Sequence, residues 1–261
     1  MHAFKNSIAQ RALKALSEEA GGIEPVCDGT VDGTKALLKK RGIDLGVLLP
    51  VATKPEQVKH INEWSLEISG GNILSFASLH PDCPDIMELI EEIKHLGFKG
   101  VKLHPDYQNF FVDEPRMKPI YKKLAQNNLI TLFHAGVDIG IPDPCKCPPE
   151  RMKKALPWFD GGPVVAAHLG GCMLWYEVEK HLVKLPLYLD TSFCFSRTPV
   201  FLFRRIIENH GYGRVLFGSD SPWGEPGSEI KLIKNAIRDE NAVNMILGEN
   251  ARELLGINSI N

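Results

Sequence analysis

Residues 130–136 read ITLFHAG. A run of apolar and β-branched side chains stops on a single histidine, His134. A strand covered on both faces gives such an unbroken run, because neither face alternates with solvent, and polar chemistry is expected only where the strand ends. Two more stretches follow the same grammar: VVAAHLGG at 164–171 closes on His168, and VLFGSDSPW at 215–223 closes on Asp220. Two imidazoles and a carboxylate are donors that a divalent metal takes, and three buried parallel strands would bring them together at the mouth of a barrel.

Working outward, runs of the same kind occur at 43–51, 72–80, 99–104, 129–135, 163–169, 187–192 and 214–220. Helical patterns lie between them. PDIMELIEEIKHLG places Ile86, Leu89, Ile90, Ile93 and Leu96 on one face, with Pro84 near its start and Gly97 just past its end. TPVFLFRRIIENHG reads likewise, with Thr198 as the expected N-cap and Gly211 as the stop. EPRMKPIYKKLAQNN, the segment after Cys147 and the stretch 226–247 complete the helical set. No composition break divides the chain, so residues 1–261 are expected to form a single domain.

Strand–helix alternation gives either a doubly wound sheet or a (β/α)8 barrel. No Gly-rich dinucleotide fingerprint follows an early strand, which disfavours the first. Ligand-type residues at the ends of several different strands favour an α/β TIM barrel. Seven strands can be placed where that barrel needs eight. The chain opens with His2 and then a helical pattern, IAQRALKALSEEA at 8–20, so the first strand is expected to be lacking at the N-terminus.

Composition narrows the function classes. Hydrophobic content of 44% and charged content of 24% are those of a globular protein. A net charge of −2 offers no footprint for nucleic acid or an anionic membrane. No apolar stretch reaches the length of a membrane span, and the N-terminus lacks a signal-peptide pattern. The six cysteines are too scattered for a disulfide framework and suit a reducing cytoplasm. Cys145 and Cys147 form a C-x-C pair, read as a surface loop with two thiols rather than a separate zinc site. The expected partner is a small-molecule substrate, with neither nucleic acid nor membrane, and a homodimer is left open.

The strand-end motifs also resemble a known family. HAF at 2–4, SLHPD at 78–82, GFKGVKLHP at 97–105, FHAGVDIG at 133–140, AHLGG at 167–171, DTSF at 190–193, FGSDSPW at 217–223 and GENARELLG at 248–256 are similar, in order, to motifs of the amidohydrolase superfamily. The branch they resemble holds metal-dependent barrel hydrolases related to aminocarboxymuconate semialdehyde decarboxylase. There the first strand ends in H-x-H, the fifth and sixth strands each give a histidine, and the eighth gives an aspartate. The resemblance therefore implies His134, His168 and Asp220 as metal ligands. It puts His2 at the second histidine of H-x-H, with Met1 in the middle position and the first histidine missing. So close to a free terminus, His2 is expected to be poorly held and metal binding weakened.

Other residues are read from position. His104 ends the fourth strand and faces the same mouth as a substrate contact or proton shuttle, with Lys102 two residues earlier pointing the same way. His80 at the end of the third strand, Arg197 as a carboxylate partner and Trp223 are substrate-binding candidates. Asp190 is placed to orient a ligating histidine, and Trp175 and Phe193 to wall the pocket. His60, His95, His181 and His210 lie in helical patterns and are expected at solvent-facing or helix-end positions.

The function expected from this reading is metal-dependent hydrolysis of a C–N or C–O bond, with Asp220, His168 and His104 as catalytic residues and zinc as the metal. No organic cofactor is expected. Asp220 would take the proton of a metal-activated water. Non-oxidative decarboxylation of a small aryl or unsaturated carboxylate is the alternative, and a catalytically inactive barrel is a third.

Overall fold

The computed structural model describes residues 1–141 and 143–257. In chain order its elements are α1 (Ala9–Glu19), α2 (Val31–Arg41), β1 (Gly46–Leu48), α3 (Val58–Ile68), β2 (Ile73–Ser75), β3 (Ala77–Ser78), α4 (Ile86–His95), β4 (Gly100–Leu103), α5 (Met117–Gln126), β5 (Ile130–Phe133), α6 (Pro149–Ala155), β6 (Val164–Ala166), α7 (Trp175–His181), β7 (Tyr188–Asp190), α8 (Val200–His210), β8 (Val215–Leu216), α9 (Pro226–Ala236), α10 (Glu240–Asn244) and α11 (Asn250–Leu255). Each predicted strand is present, shorter than its apolar run.

Every strand pair is parallel. β1 pairs β2, and β3 to β8 pair in sequential order, with Leu103 opposite Phe133 and Phe133 opposite Ala166. β2 and β3 are one extended stretch interrupted at Phe76, whose N–H still donates to Leu48 O at 2.9 Å. Sequential parallel pairing with intervening helices is the α/β barrel expected from the sequence.

Alternation along the strands sorts side chains into two cores. Ile130, Leu132, Val165, Ala167 and Leu216 fill the barrel interior with Leu49, Phe76 and Leu255. Phe133, Val164, Ala166, Leu189 and Val215 face outward into the larger core beneath the helices. By the same alternation Lys102 lies on the inner face and is buried.

The expected lack of a first strand takes a specific form. Among the described residues no strand joins β1 to β8, and a cavity of about 480 Å³ reaches the interior there, touching Val47, Ile130, Val165 and Leu216. The N-terminal residues bridge the top of that gap. Met1 donates from its amino group to Val47 O at 3.3 Å and accepts from Leu49 N–H at 2.9 Å, and His2 N–H donates to Ser221 O at 2.6 Å. His2 is thus held from both sides, contrary to the poorly held residue expected.

One other expectation is corrected. α8 begins after Pro199, so Thr198 is not its N-cap, and the Thr198 hydroxyl is buried without a hydrogen-bond partner. His210 takes the helix-end position expected of it, as the last residue of α8, and is buried there, donating from Nε2 to Leu187 O at 2.9 Å. No described helix is long and apolar enough to cross a membrane.

Candidate active site

The barrel ladder sets the first ligand candidate. His134 follows β5 directly, and its N–H donates to Leu103 O at 3.0 Å, so the side chain keeps the inward parity of Ile130 and Leu132. The next residues must make way for a neighbouring loop. Gly136 has φ +88°, and a Cβ there would lie 2.0 Å from Cys172 N, so only glycine lets the two loops approach.

His168 reaches the mouth by another route. It is out of step with the inward Val165 and Ala167, so a straight strand would turn it outward. Its φ of +58° swings it back, and Leu169 follows at +56°. Such backbone costs about 1–3 kcal/mol per non-glycine residue and persists only where surroundings fix it. Here His168 N–H donates to Asp190 Oδ1 at 3.1 Å. Asp220 is likewise left-handed, with φ +59°.

The imidazole protons can be placed. Ser192 Oγ donates to Asp190 Oδ1 at 2.5 Å, so it can only accept from His168 Nδ1, 3.0 Å away. His168 Nδ1 also lies 3.2 Å from the Ser192 carbonyl, a pure acceptor. Nδ1 therefore carries the proton and Nε2 is bare. His168 Nε2 faces His134 Nδ1 at 3.1 Å, which must be the donor. That leaves His134 Nε2 as a bare nitrogen, buried with no hydrogen-bond partner.

His2 Nε2 meets Asp220 Oδ1 at 3.1 Å. Burial alone would raise the Asp220 carboxyl, but the hydrogen bond and charge of His2, with His168 nearby, hold it below the ordinary carboxylate value. Burial lowers His2, and lowers His134 and His104 well below the usual histidine value. Lys102, also lowered by burial, has Asp220 and Asp190 as opposing charges.

His104 stacks on His134 with ring centroids 4.2 Å apart. Its position is set by Gln108, which accepts from His104 N–H at 2.9 Å and donates to Ala52 O and Leu79 O, tying three strand ends together. Beside both rings is Asp138, whose Oδ2 lies 3.4 Å from His104 Nε2 and 3.9 Å from His134 Nε2.

All of these groups open on one cavity of about 960 Å³. His2, Lys102, His104, His134, His168 and Asp220 touch it, and so do Phe193 and Trp223, as expected. Ile8, Leu16, Ile61 and Trp64 form its apolar outer wall. The predicted ligands stand as two hydrogen-bonded pairs, His2–Asp220 and His134–His168. Among the described residues the one set with three donor atoms within 4.8 Å of each other is His104, His134 and Asp138.

Three candidates do not reach the cavity. His80 is buried beside it, where its Nδ1 accepts from Asp82 N–H at 3.2 Å. Arg197 is exposed, its guanidinium 3.5 Å from the Phe193 ring centroid. Trp175 sits behind His168, donating to its carbonyl at 3.2 Å. Sequence reading missed Asp138, Gln108 and Ser192. Asp138 lies four residues after His134 in FHAGVDIG, where a loop, not a repeat, sets direction, so no periodicity marked it.

A parallel α/β barrel with imidazoles and carboxylates at its strand ends defines the class. A family model described as Amidohydrolase matches residues 42–257, and the chain belongs to that family. The chain is similar to an uncharacterized TIM-barrel protein from Bordetella bronchiseptica, at 18% identity and TM-score 0.74, covering 98% of this chain and 96% of that one. It is similar to 5-carboxyvanillate decarboxylase from Sphingomonas paucimobilis, at 17% identity and TM-score 0.72, covering 98% and 97%. A third is dihydroxybenzoic acid decarboxylase from Polaromonas sp., with bound manganese and the inhibitor 2-nitroresorcinol, at 17% identity and TM-score 0.69, covering 87% and 86%. Comparison with curated proteins finds no match.

Proposed function

We propose that this chain, acting as a single domain, is a divalent-metal-dependent, non-oxidative decarboxylase of a small aryl or unsaturated carboxylate. The observation that carries this is the gathering of His2, His134, His168 and Asp220 on one cavity with an apolar outer wall. The fold's likeness to two decarboxylases supports it over the hydrolysis expected from sequence.

The donor set fits a metal. Asp220 is ionised, and burial keeps His2 beside it toward the neutral form, the states that ligate. His168 Nε2 is unprotonated and would ligate by giving up the hydrogen bond it accepts from His134 Nδ1–H. An imidazole-rich set suits zinc; manganese is the ion named with one similar structure. When bound, the ion would act as a Lewis acid on the substrate's oxygens. Lys102, His134 and His168 then orient the substrate carboxylate, and Tyr107, Trp223 and Ile61 enclose its apolar part. Decarboxylation breaks the bond between the carboxylate and its carbon and leaves the electron pair on that carbon, which needs a proton. Because Asp220 is ionised and His168 Nε2 carries no hydrogen, that proton must first come from a hydroxyl or water in the cavity; Asp220 and His168 are assigned to accept it and pass it to the carbon, His168 being fixed by Ser192. The six described cysteines are all unpaired, which supports a cytoplasmic setting.

Hydrolysis is the second reading, favoured by an ionised Asp220 able to take a proton from water. The test is metal-stripped protein reloaded with Zn²⁺ or Mn²⁺ and offered hydroxybenzoates, unsaturated dicarboxylates, esters and amides. CO₂ release that needs the metal is expected. Cleavage of an ester or amide without CO₂ release from any substrate overturns decarboxylation.

A further inference from the structure

The orphaned Nε2 of His134 faces away from the strand-end ligands, toward a group of side chains that the proposed reaction does not use. Asp138 is held there by its own turn. Its Oδ1 accepts from Gly140 N–H at 2.9 Å and Ile141 N–H at 3.0 Å, which fixes the rotamer and aims Oδ2 inward. Oδ2 then stands 3.4 Å from His104 Nε2 and 3.9 Å from His134 Nε2. All three residues are more than nine-tenths buried.

We propose that His104 Nε2, His134 Nε2 and Asp138 Oδ2 form a second seat for a divalent cation, separate from the strand-end set of His2, His168 and Asp220.

Three arguments support it. The first is the orphan atom. A bare nitrogen buried without a donor is unfavourable as it stands, and a cation held between it and the Asp138 carboxylate satisfies it. The second is spacing. Metal bonds of about 2.0–2.2 Å in a tetrahedral site put donor atoms about 3.3–3.6 Å apart. One distance here is already 3.4 Å, the second is 3.9 Å, and all three donor atoms lie within 4.8 Å of one another, so closing the set needs side-chain shifts of up to about 1 Å. The third is chemical type. Two imidazoles and one carboxylate form a known catalytic zinc set that leaves a position open, and all three residues touch the large cavity.

The proton balance closes. His104 Nδ1 now receives only a long contact from Tyr107 N–H at 3.4 Å, so Nε2 holds the ring proton. Cation binding moves that proton to Nδ1 at the expense of this contact. Filling this seat asks no change of His134, since its Nδ1 keeps the proton it donates to His168 and its Nε2 is already bare; a cation that takes His168 Nε2 in the strand-end set displaces that hydrogen bond. His134 therefore stands between the two seats, one nitrogen toward each.

The seat goes beyond the decarboxylase reading and does not depend on it. The test is equilibrium dialysis of metal-stripped protein against Zn²⁺, with bound zinc counted by mass spectrometry and folding followed by circular dichroism. Wild type is expected to bind two equivalents. Asp138→Asn and His104→Gln each lose one, with affinity at that seat reduced 100-fold or more, while Asp220→Asn keeps it. With Co²⁺, the visible absorption of Asp220→Asn should vanish on adding Asp138→Asn. One equivalent in wild type, lost in Asp138→Asn but kept in Asp220→Asn, supports this seat and overturns the strand-end one. One equivalent kept in Asp138→Asn, or lost in both single variants, overturns the second seat. If Asp138→Asn fails to fold, His104→Gln decides by the same count.

Discussion

Ser192 Oγ donates to Asp190 Oδ1 at 2.5 Å, and that one proton sets the tautomer of His168. With its hydrogen committed to Asp190, the hydroxyl accepts from His168 Nδ1, which leaves Nε2 unprotonated to accept from His134 Nδ1–H. Ser192→Ala weakens this bias by leaving His168 Nδ1–H only the backbone carbonyl at 3.2 Å, while Asp190 keeps the N–H groups of His168 and residue 192. Turnover should fall about 10–100-fold with KM changed less than about threefold. The His168 Nδ1–H resonance should also broaden or disappear in an NMR spectrum.

Asp220→Ala deletes the carboxylate that joins His2 to the proposed metal and proton chemistry. Turnover is expected to be lost, at least about 1000-fold, with the circular dichroism spectrum retained. Activity within tenfold of wild type would remove Asp220 from the mechanism.

His2→Ala tests whether the N-terminal rung matters to stability. Asp220 would lose its side-chain partner in a partly buried site, at a cost of about 1 kcal/mol. The Asp220 carboxyl would also rise toward its ordinary range. Urea unfolding at neutral pH measures the first, and the second shows as an acid limb of activity displaced to higher pH.

Glu229 gives a pH dependence that does not come from the proposed metal ligands themselves. Buried and accepting from Phe195 N–H at 3.0 Å, it is raised by burial from the ordinary 4.5 to about 8. Between those values the folded chain holds a proton that the unfolded chain has released. Its contribution is therefore fully present below pH 4.5 and is lost as pH rises toward 8. Glu229→Gln should leave stability unchanged near pH 4.5 and raise it near pH 8 by up to a few kcal/mol. Thermal melts of both proteins at the two pH values measure the difference.

Arg197 lies outside the cavity, its guanidinium on the Phe193 ring. Arg197→Ala should leave KM for a carboxylate substrate within about twofold and cost about 0.5–1 kcal/mol of stability, the worth of an exposed cation–π contact. A tenfold rise in KM would show that the loop carries Arg197 into the site when substrate binds.

The sequence by itself determined the strands, their parallel order and which residues stand at their ends. Long apolar runs closing on one polar residue have no other economical burial, and alternation alone sends Lys102, His104 and His134 to the same mouth. Only the tertiary structure decided what those side chains do there. His168 has the wrong parity and reaches the cavity through a left-handed backbone anchored by Asp190, a partner 22 residues away. His2 is held by strands that come together only in the folded barrel. Asp138 faces the histidines because its own turn fixes its rotamer. The physical reason is that burial pattern is local and periodic, whereas the aim of a loop side chain depends on hydrogen bonds to groups distant in the chain.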